Sequence, residues 1–204
     1  MTRFSTAAKL PLAPMLRSVI TRYLQLCTLA AVGGAALGCS DSLLGPPTSD
    51  NVIDTVTLYA LSGTAISLPS GYSMLDARPV RTDSTDFDFA FDITESGTTL
   101  IYPAGALGLS SVPGLQRSTK PFAEITMAPT EGYEGDSALA VSPNDVFLAR
   151  SRTSISGCYF FGQVSRYGKF RVLSLDLSAR SITLELLVNL NCGYKSLDVG
   201  RPDS

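Results

Sequence analysis

Two stretches of this chain alternate apolar and polar residues with a period of two, and that rhythm limits the fold more than any other feature. In residues 86–93, Phe87, Phe89, Phe91 and Ile93 fall on one face, and Asp86, Asp88, Ala90 and Asp92 on the other. In residues 181–192, Ile182, Leu184, Leu186, Val188, Leu190 and Cys192 share a face, with Leu187 the exception. Successive side chains of a strand point to opposite faces, so both stretches read as half-buried strands. A turn at 95–98 with a return strand at 99–102, and a turn at 178–180 after the alternating leucines of 173–177, read as hairpins. Further strand candidates are 52–61, 65–68, 74–80, 138–141, 146–152 and 158–164. Residues 103–121, with Gly105, Gly108, Pro113 and Gly114, are expected to form a loop or carry a short helix. Short strands with Gly and Pro turns predict an all-β antiparallel sandwich, with a small barrel as the alternative.

Composition restricts the chemistry. The chain has 204 residues, enough for one ordinary domain with appendages, and 45% of them are hydrophobic, enough for a core. It has no His and no Trp. The missing His removes Ser-His and Cys-His catalytic pairs, the usual proton carrier near neutral pH and the commonest metal ligand. The sequence also lacks G-x-S-x-G, S-x-x-K, phosphate-loop and dinucleotide patterns. Enzymes that rely on carboxylates, Tyr or Lys stay open.

The N-terminal segment is organised differently. Arg3, Lys9, Arg17 and Arg22 are its only charges before Cys39, and an apolar run of about 16 residues follows, rich in Ala and Gly. A spanning helix needs about 20 apolar residues, so the run suits a secretion signal better than a membrane span. The motif Ala36-Leu37-Gly38-Cys39, followed by Ser40 and Asp41, resembles the cleavage site of bacterial lipoprotein precursors. The resemblance implies a signal peptide at 1–38, removed before Cys39, and a diacylglycerol on the Cys39 sulfur with a further acyl chain, such as palmitate, on the new amino group. It also implies the outer membrane, because Ser40 rather than Asp follows the Cys. Several acyl chains, at about 0.8 kcal/mol per buried CH₂, make such an anchor effectively permanent.

Residues 39–50 include Gly45-Pro46-Pro47 and read as a lipid-anchored flexible linker, with a single all-β domain at 51–204. With Cys39 acylated and Cys27 lost with the signal, Cys158 and Cys192 remain, and an even pair in an oxidising compartment reads as a disulfide. Closing that loop would contribute about 3–4 kcal/mol in the chain-entropy model.

Acidic residues offer the remaining chemistry. Asp86, Asp88 and Asp92 are weak candidates for a hard cation, but same-face neighbours on a strand lie about 6.8 Å apart, so they read instead as a solvated sheet face. The segment Glu131-Gly132-Tyr133-Glu134-Gly135-Asp136 reads as a solvent loop. Tyr59, Tyr72, Tyr102 and Tyr133 suit packing or a ligand cleft. Residues 41–136 hold 13 acidic and 4 basic side chains, and residues 137–204 hold 5 and 8, so nucleic-acid binding is disfavoured. Phe87-Asp88-Phe89-Ala90-Phe91 is similar to a strand of haem-capturing surface lipoproteins with an all-β fold. That family's haem ligands are His, which this chain lacks, so no cofactor is expected. The sequence therefore points to a non-enzymatic envelope lipoprotein, attached to the membrane through Cys39, that binds an envelope protein, glycan or small ligand. An assembly component and a carboxylate-dependent hydrolase of envelope polymers are the alternatives.

Overall fold

The computed structural model describes residues 46–111, 113–153 and 164–202. Ten strands in these residues form two antiparallel sheets: β1 (Val52–Tyr59), β2 (Gly71–Ser73), β3 (Arg78–Val80), β4 (Phe89–Ile93), β5 (Thr99–Pro103), β6 (Gly114–Ser118), β7 (Leu139–Ala140), β8 (Val146–Arg150), β9 (Tyr167–Asp176) and β10 (Ser181–Asn189). One sheet has the order β1-β10-β9-β8-β6 and the other β3-β2-β4-β5-β7. Both sheets are open, so the sandwich is realised and the barrel is not.

The main core lies between the sheets. Val56, Leu58, Phe147, Phe170, Val172, Ile182, Leu184, Leu186 and Val188 from one sheet meet Tyr72, Phe89, Phe91, Ile93 and Ile101 from the other. This is the even-numbered face of the 181–192 alternation, as the sequence predicts. Phe170 packs edge-on to Phe89 at 5.1 Å and stacks on Phe147 at 5.1 Å between centroids. Each fully buried aromatic side chain contributes roughly 1.5–3 kcal/mol.

The outer faces are covered too. A second cluster joins Leu148, Tyr167 and Leu187 to Ile125, Ala128 and Leu197, beneath the segments around 122–133 and 194–199. These two segments are tied together by Ala128 N–H donating to Lys195 C=O and Leu197 N–H donating to Thr126 C=O, both at 2.8 Å. The cover explains Leu187, the residue that broke the alternation: its side chain faces a second apolar layer rather than water. A third cluster, Val80, Phe87, Ala90 and Ala104, lies on the outer side of the β4 sheet.

Several expectations need correction. Phe87 does not share the face of Phe89 and Phe91, because the chain bends at Asp88 before β4 begins and Phe87 joins Ala90 on the outer side. Residues 65–68 form a turn rather than a strand, and 74–77 form the turn between β2 and β3. The stretch 103–121 contains the short 3-10 helix Ala104–Leu107, as one expectation allowed, but also β6. β6 has one apolar residue in its five, and its pairing with β8 makes it a strand. The strand candidate at 158–164 lies, up to residue 163, outside the described residues.

The segment 131–136 is partly docked. Its carboxylates face solvent, yet Glu134 and Leu115 exchange backbone hydrogen bonds at 2.8 and 2.9 Å, extending the sheet beyond β6. Gly114 permits this approach, since a Cβ there would stand 2.5 Å from Tyr133 Cβ. Gly114→Ala is expected to cost roughly 1–3 kcal/mol through overpacking, read as a lower urea midpoint at unchanged slope.

Candidate functional site

The two sheets are joined at one end of the sandwich by a buried charge. Tyr72 pairs with Phe89, so the β2–β3 turn and the residues preceding β4 lie at the same end of their sheet. Arg150 pairs with Tyr167, and Tyr167 with Asn189, which brings the end of β8, the start of β9 and the end of β10 to one end of the other. Asp88, 1% exposed, sits between these ends. Its carboxylate accepts the Met74 N–H at 2.7 Å and the Arg152 N–H at 2.6 Å. Arg152 Nη1 stands 3.1 Å away as its ion pair. Burial pushes the Asp88 carboxyl above the usual carboxylate range, while the Arg152 charge and the two amide bonds pull it down.

Asp88 is thus neither on a solvated face nor available to a cation. Asp92, the second of the candidate ligands, accepts Ser62 N–H and Oγ–H at 3.0 and 2.9 Å and lies 3.8 Å from Arg180. Asp86 is exposed beside its own short turn. The three carboxylates are not brought together, and among the described residues no group of three or more side chains is arranged to hold a metal. Tyr72 is wholly within the core, with its hydroxyl buried and its pKa raised by desolvation, so it packs rather than lines a cleft.

At the Asp88 end the surface opens into a cleft of about 920 Å³. Arg78, Arg81, Arg152 and Arg166 line it, together with Asp76, Asp83 and Asp86. Most of these charges are matched. Asp76 accepts Ser73 Oγ–H at 3.0 Å and lies 3.8 Å from Arg78, and Arg81 pairs with Asp83. Arg166 is held differently. Its backbone N–H donates to Ser151 Oγ at 2.8 Å and its Nη1 to the Leu75 carbonyl, but its Nε is buried with no acceptor. Burial lowers the Arg166 pKa, with Asp76 and Asp88 opposing the shift. Sequence reading missed this site because its cations come from segments that are distant along the chain and carry no motif.

The polypeptide also enters the domain at this end. Val52 pairs with Val188, placing the start of β1 beside the end of β10. Before β1, the Thr48 and Ser49 amides donate to Asn191 Oδ1 at 2.8 and 3.0 Å, and Asn51 N–H donates to Gly200 C=O at 2.8 Å. The linker expected to run to Asp50 is therefore fixed to the fold from Thr48 onward. Cys192 follows Asn191 at the same end and is half-buried. Its expected partner Cys158, like Cys39, lies outside the described residues.

A second unusual cation sits on the covered outer face. Lys169, 5% exposed, donates from Nζ to the Ile125 carbonyl at 2.8 Å and lies 4.7 Å from the centroid of the Phe122 ring. Burial lowers its pKa, against the pull of Asp198 and Glu185. The folded state thus holds this proton less tightly than the unfolded chain. The resulting cost is fully present below the folded value and relieved as pH rises toward the unfolded value near about 10.4. Wild type should therefore gain stability relative to Lys169→Met as pH rises through the range just below about pH 10. Urea unfolding across that range checks it, and a pH-independent difference would exclude the assignment.

The sequence matches no protein-family model and no curated protein, so the reading of this site stands on its geometry.

Proposed function

We propose that the chain is a non-enzymatic envelope lipoprotein, in which a lipid on Cys39 anchors a β-sandwich binding module to the membrane, the outer membrane being favoured. The open cleft at the Asp88 end carries the binding part of this reading. Its size lies within the range of small-ligand sites, and one of its lining residues, Arg166, has a buried Nε–H with no acceptor. A carboxylate-dependent hydrolase needs a converging acid and base. In this cleft Asp76 and Asp83 are engaged by arginines, which favours binding over hydrolysis.

The anchoring part rests on the basic and apolar N-terminal segment and on Gly38-Cys39. Growth with a clickable fatty-acid analogue is the test. The wild-type chain should be labelled and Cys39→Ala unlabelled; an unlabelled wild type, or label retained by the variant, would refute the anchor. A Cys158–Cys192 bridge belongs to the same reading, because the envelope is oxidising. Gly193 N–H donates to Ser165 C=O at 3.2 Å, which places the neighbour of Cys192 against the chain that follows Cys158. Unreduced intact mass should be short of both thiol hydrogens.

A further inference from the structure

Arg166, beside the cleft, keeps a donor that the protein itself does not use. Arg166 Nε is buried without a hydrogen-bond acceptor, and Arg166 lines the cleft beside Arg152, whose Nη1 faces the Asp88 carboxylate at 3.1 Å. A buried charged donor left unmade is costly, and native structures rarely keep one without a partner. A guanidinium offers a planar fork of N–H groups that matches the oxygens of a phosphate. The lowered pKa of Arg166 reports the same deficit: its charge is desolvated without full compensation.

We propose that Arg166 and Arg152 bind a phosphate group in this cleft, and that in the anchored protein the group is the phosphodiester of a membrane phospholipid headgroup.

The charge balance selects the form of phosphate. Arg78, Arg81, Arg152 and Arg166 are offset by Asp76, Asp83 and Asp86 around the cleft and by Asp88 beneath it. A nearly neutral cleft suits a singly charged phosphodiester better than a phosphate dianion. Exposed Asp86 has no hydrogen-bond or ion-pair partner for its carboxylate among the described residues, so it can meet the ammonium of a zwitterionic headgroup. The source follows from the course of the chain. The polypeptide enters β1 at the end where the cleft opens, and Thr48 and Ser49 are pinned to Asn191 there. With Cys39 acylated, the nine residues to Thr48 reach about 30 Å at full extension, which would keep this end within reach of the bilayer. The membrane source rests on the lipoprotein reading; the phosphate site does not.

Dimethyl phosphate is the soluble probe, titrated by calorimetry into the full chain in non-ionic detergent, an arm that needs no acyl chain. Wild type should bind, and Arg166→Gln should weaken binding about tenfold or more. Arg166→Lys keeps the charge but loses the fork, and should fall between the two. It also carries the test if Arg166→Gln fails to fold. Absence of binding by wild type, or equal binding by wild type and the folded Arg166 variants, would overturn the site. In the second arm the chain is reconstituted into vesicles of phosphatidylethanolamine and phosphatidylglycerol, or of a phosphate-free galactolipid. Headgroup occupancy should lower the apparent affinity for dimethyl phosphate in the phospholipid vesicles alone. Equal affinity in both would overturn the membrane source and leave a free phosphodiester as the ligand. Absence of acyl label on Cys39 would remove the anchor without touching the detergent result.

Discussion

Asp88→Ala should destabilise the domain by about 3–5 kcal/mol, because it leaves a buried cation and two backbone amides without their common acceptor. The three groups are Arg152 Nη1 at 3.1 Å and the amides of Met74 and Arg152 at 2.7 and 2.6 Å. They come from different sheets, so the loss is also a loss of the tie between β2 and β8. The ion pair by itself is not a large net stabiliser, since burial pushes the Asp88 carboxyl upward despite Arg152. Its importance lies in what removal of one partner strands. Arg152→Met in the same chain should recover part of the deficit, because no unpaired charge then remains, but not all of it, because both amides stay unsatisfied. Urea unfolding of the two single variants and the double variant measures this coupling. An Asp88→Ala cost below about 1 kcal/mol would rule out the buried tie.

Phe89→Ala should cost a comparable amount, roughly 3–5 kcal/mol, for a different reason. Phe89 is 0% exposed and its ring contacts Tyr72, Phe147 and Phe170 at centroid distances of 5.5, 5.8 and 5.1 Å. Those neighbours sit on three strands in two sheets and cannot all move into one vacated volume. The cavity therefore adds to the lost transfer energy. Urea unfolding should show a lower midpoint, and near-ultraviolet circular dichroism should show weaker aromatic signals while far-ultraviolet signals persist.

These two positions also mark how far the sequence could be read. The period-two pattern identifies strands because it records which face meets a core, and β10 and most of β4 are legible on that ground. It fails where both faces are covered: Leu187, Leu148 and Lys169 look outward from their sheet yet lie under the segments around 122–133 and 194–199. It fails again at Asp88, where one bend sends Phe87 to the outer side and the carboxylate inward. No local pattern announces that bend, because Arg152, the partner that makes Asp88 tolerable, is 64 residues away. β6 is illegible for a related reason: its residues are mostly polar, and its strand conformation comes from pairing with β8. The cleft itself is assembled from the β2–β3 turn, the approach to β4, the end of β8 and the start of β9. A lone arginine in each such segment looks like an ordinary surface charge. The expectation for Cys39, by contrast, rests on its immediate neighbours in sequence, and the residue lies outside the described residues.

The proposed lipid anchor would hold the sandwich to a membrane by its cleft end. The placement can be measured with a genetically encoded fluorescent amino acid at Ser84, on the cleft, or at Ser96, in the β4–β5 turn at the opposite end. The acylated chain is reconstituted into vesicles containing a lipid-bound quencher. Quenching should be clearly stronger at position 84 than at position 96. Equal quenching, or stronger quenching at position 96, would contradict it.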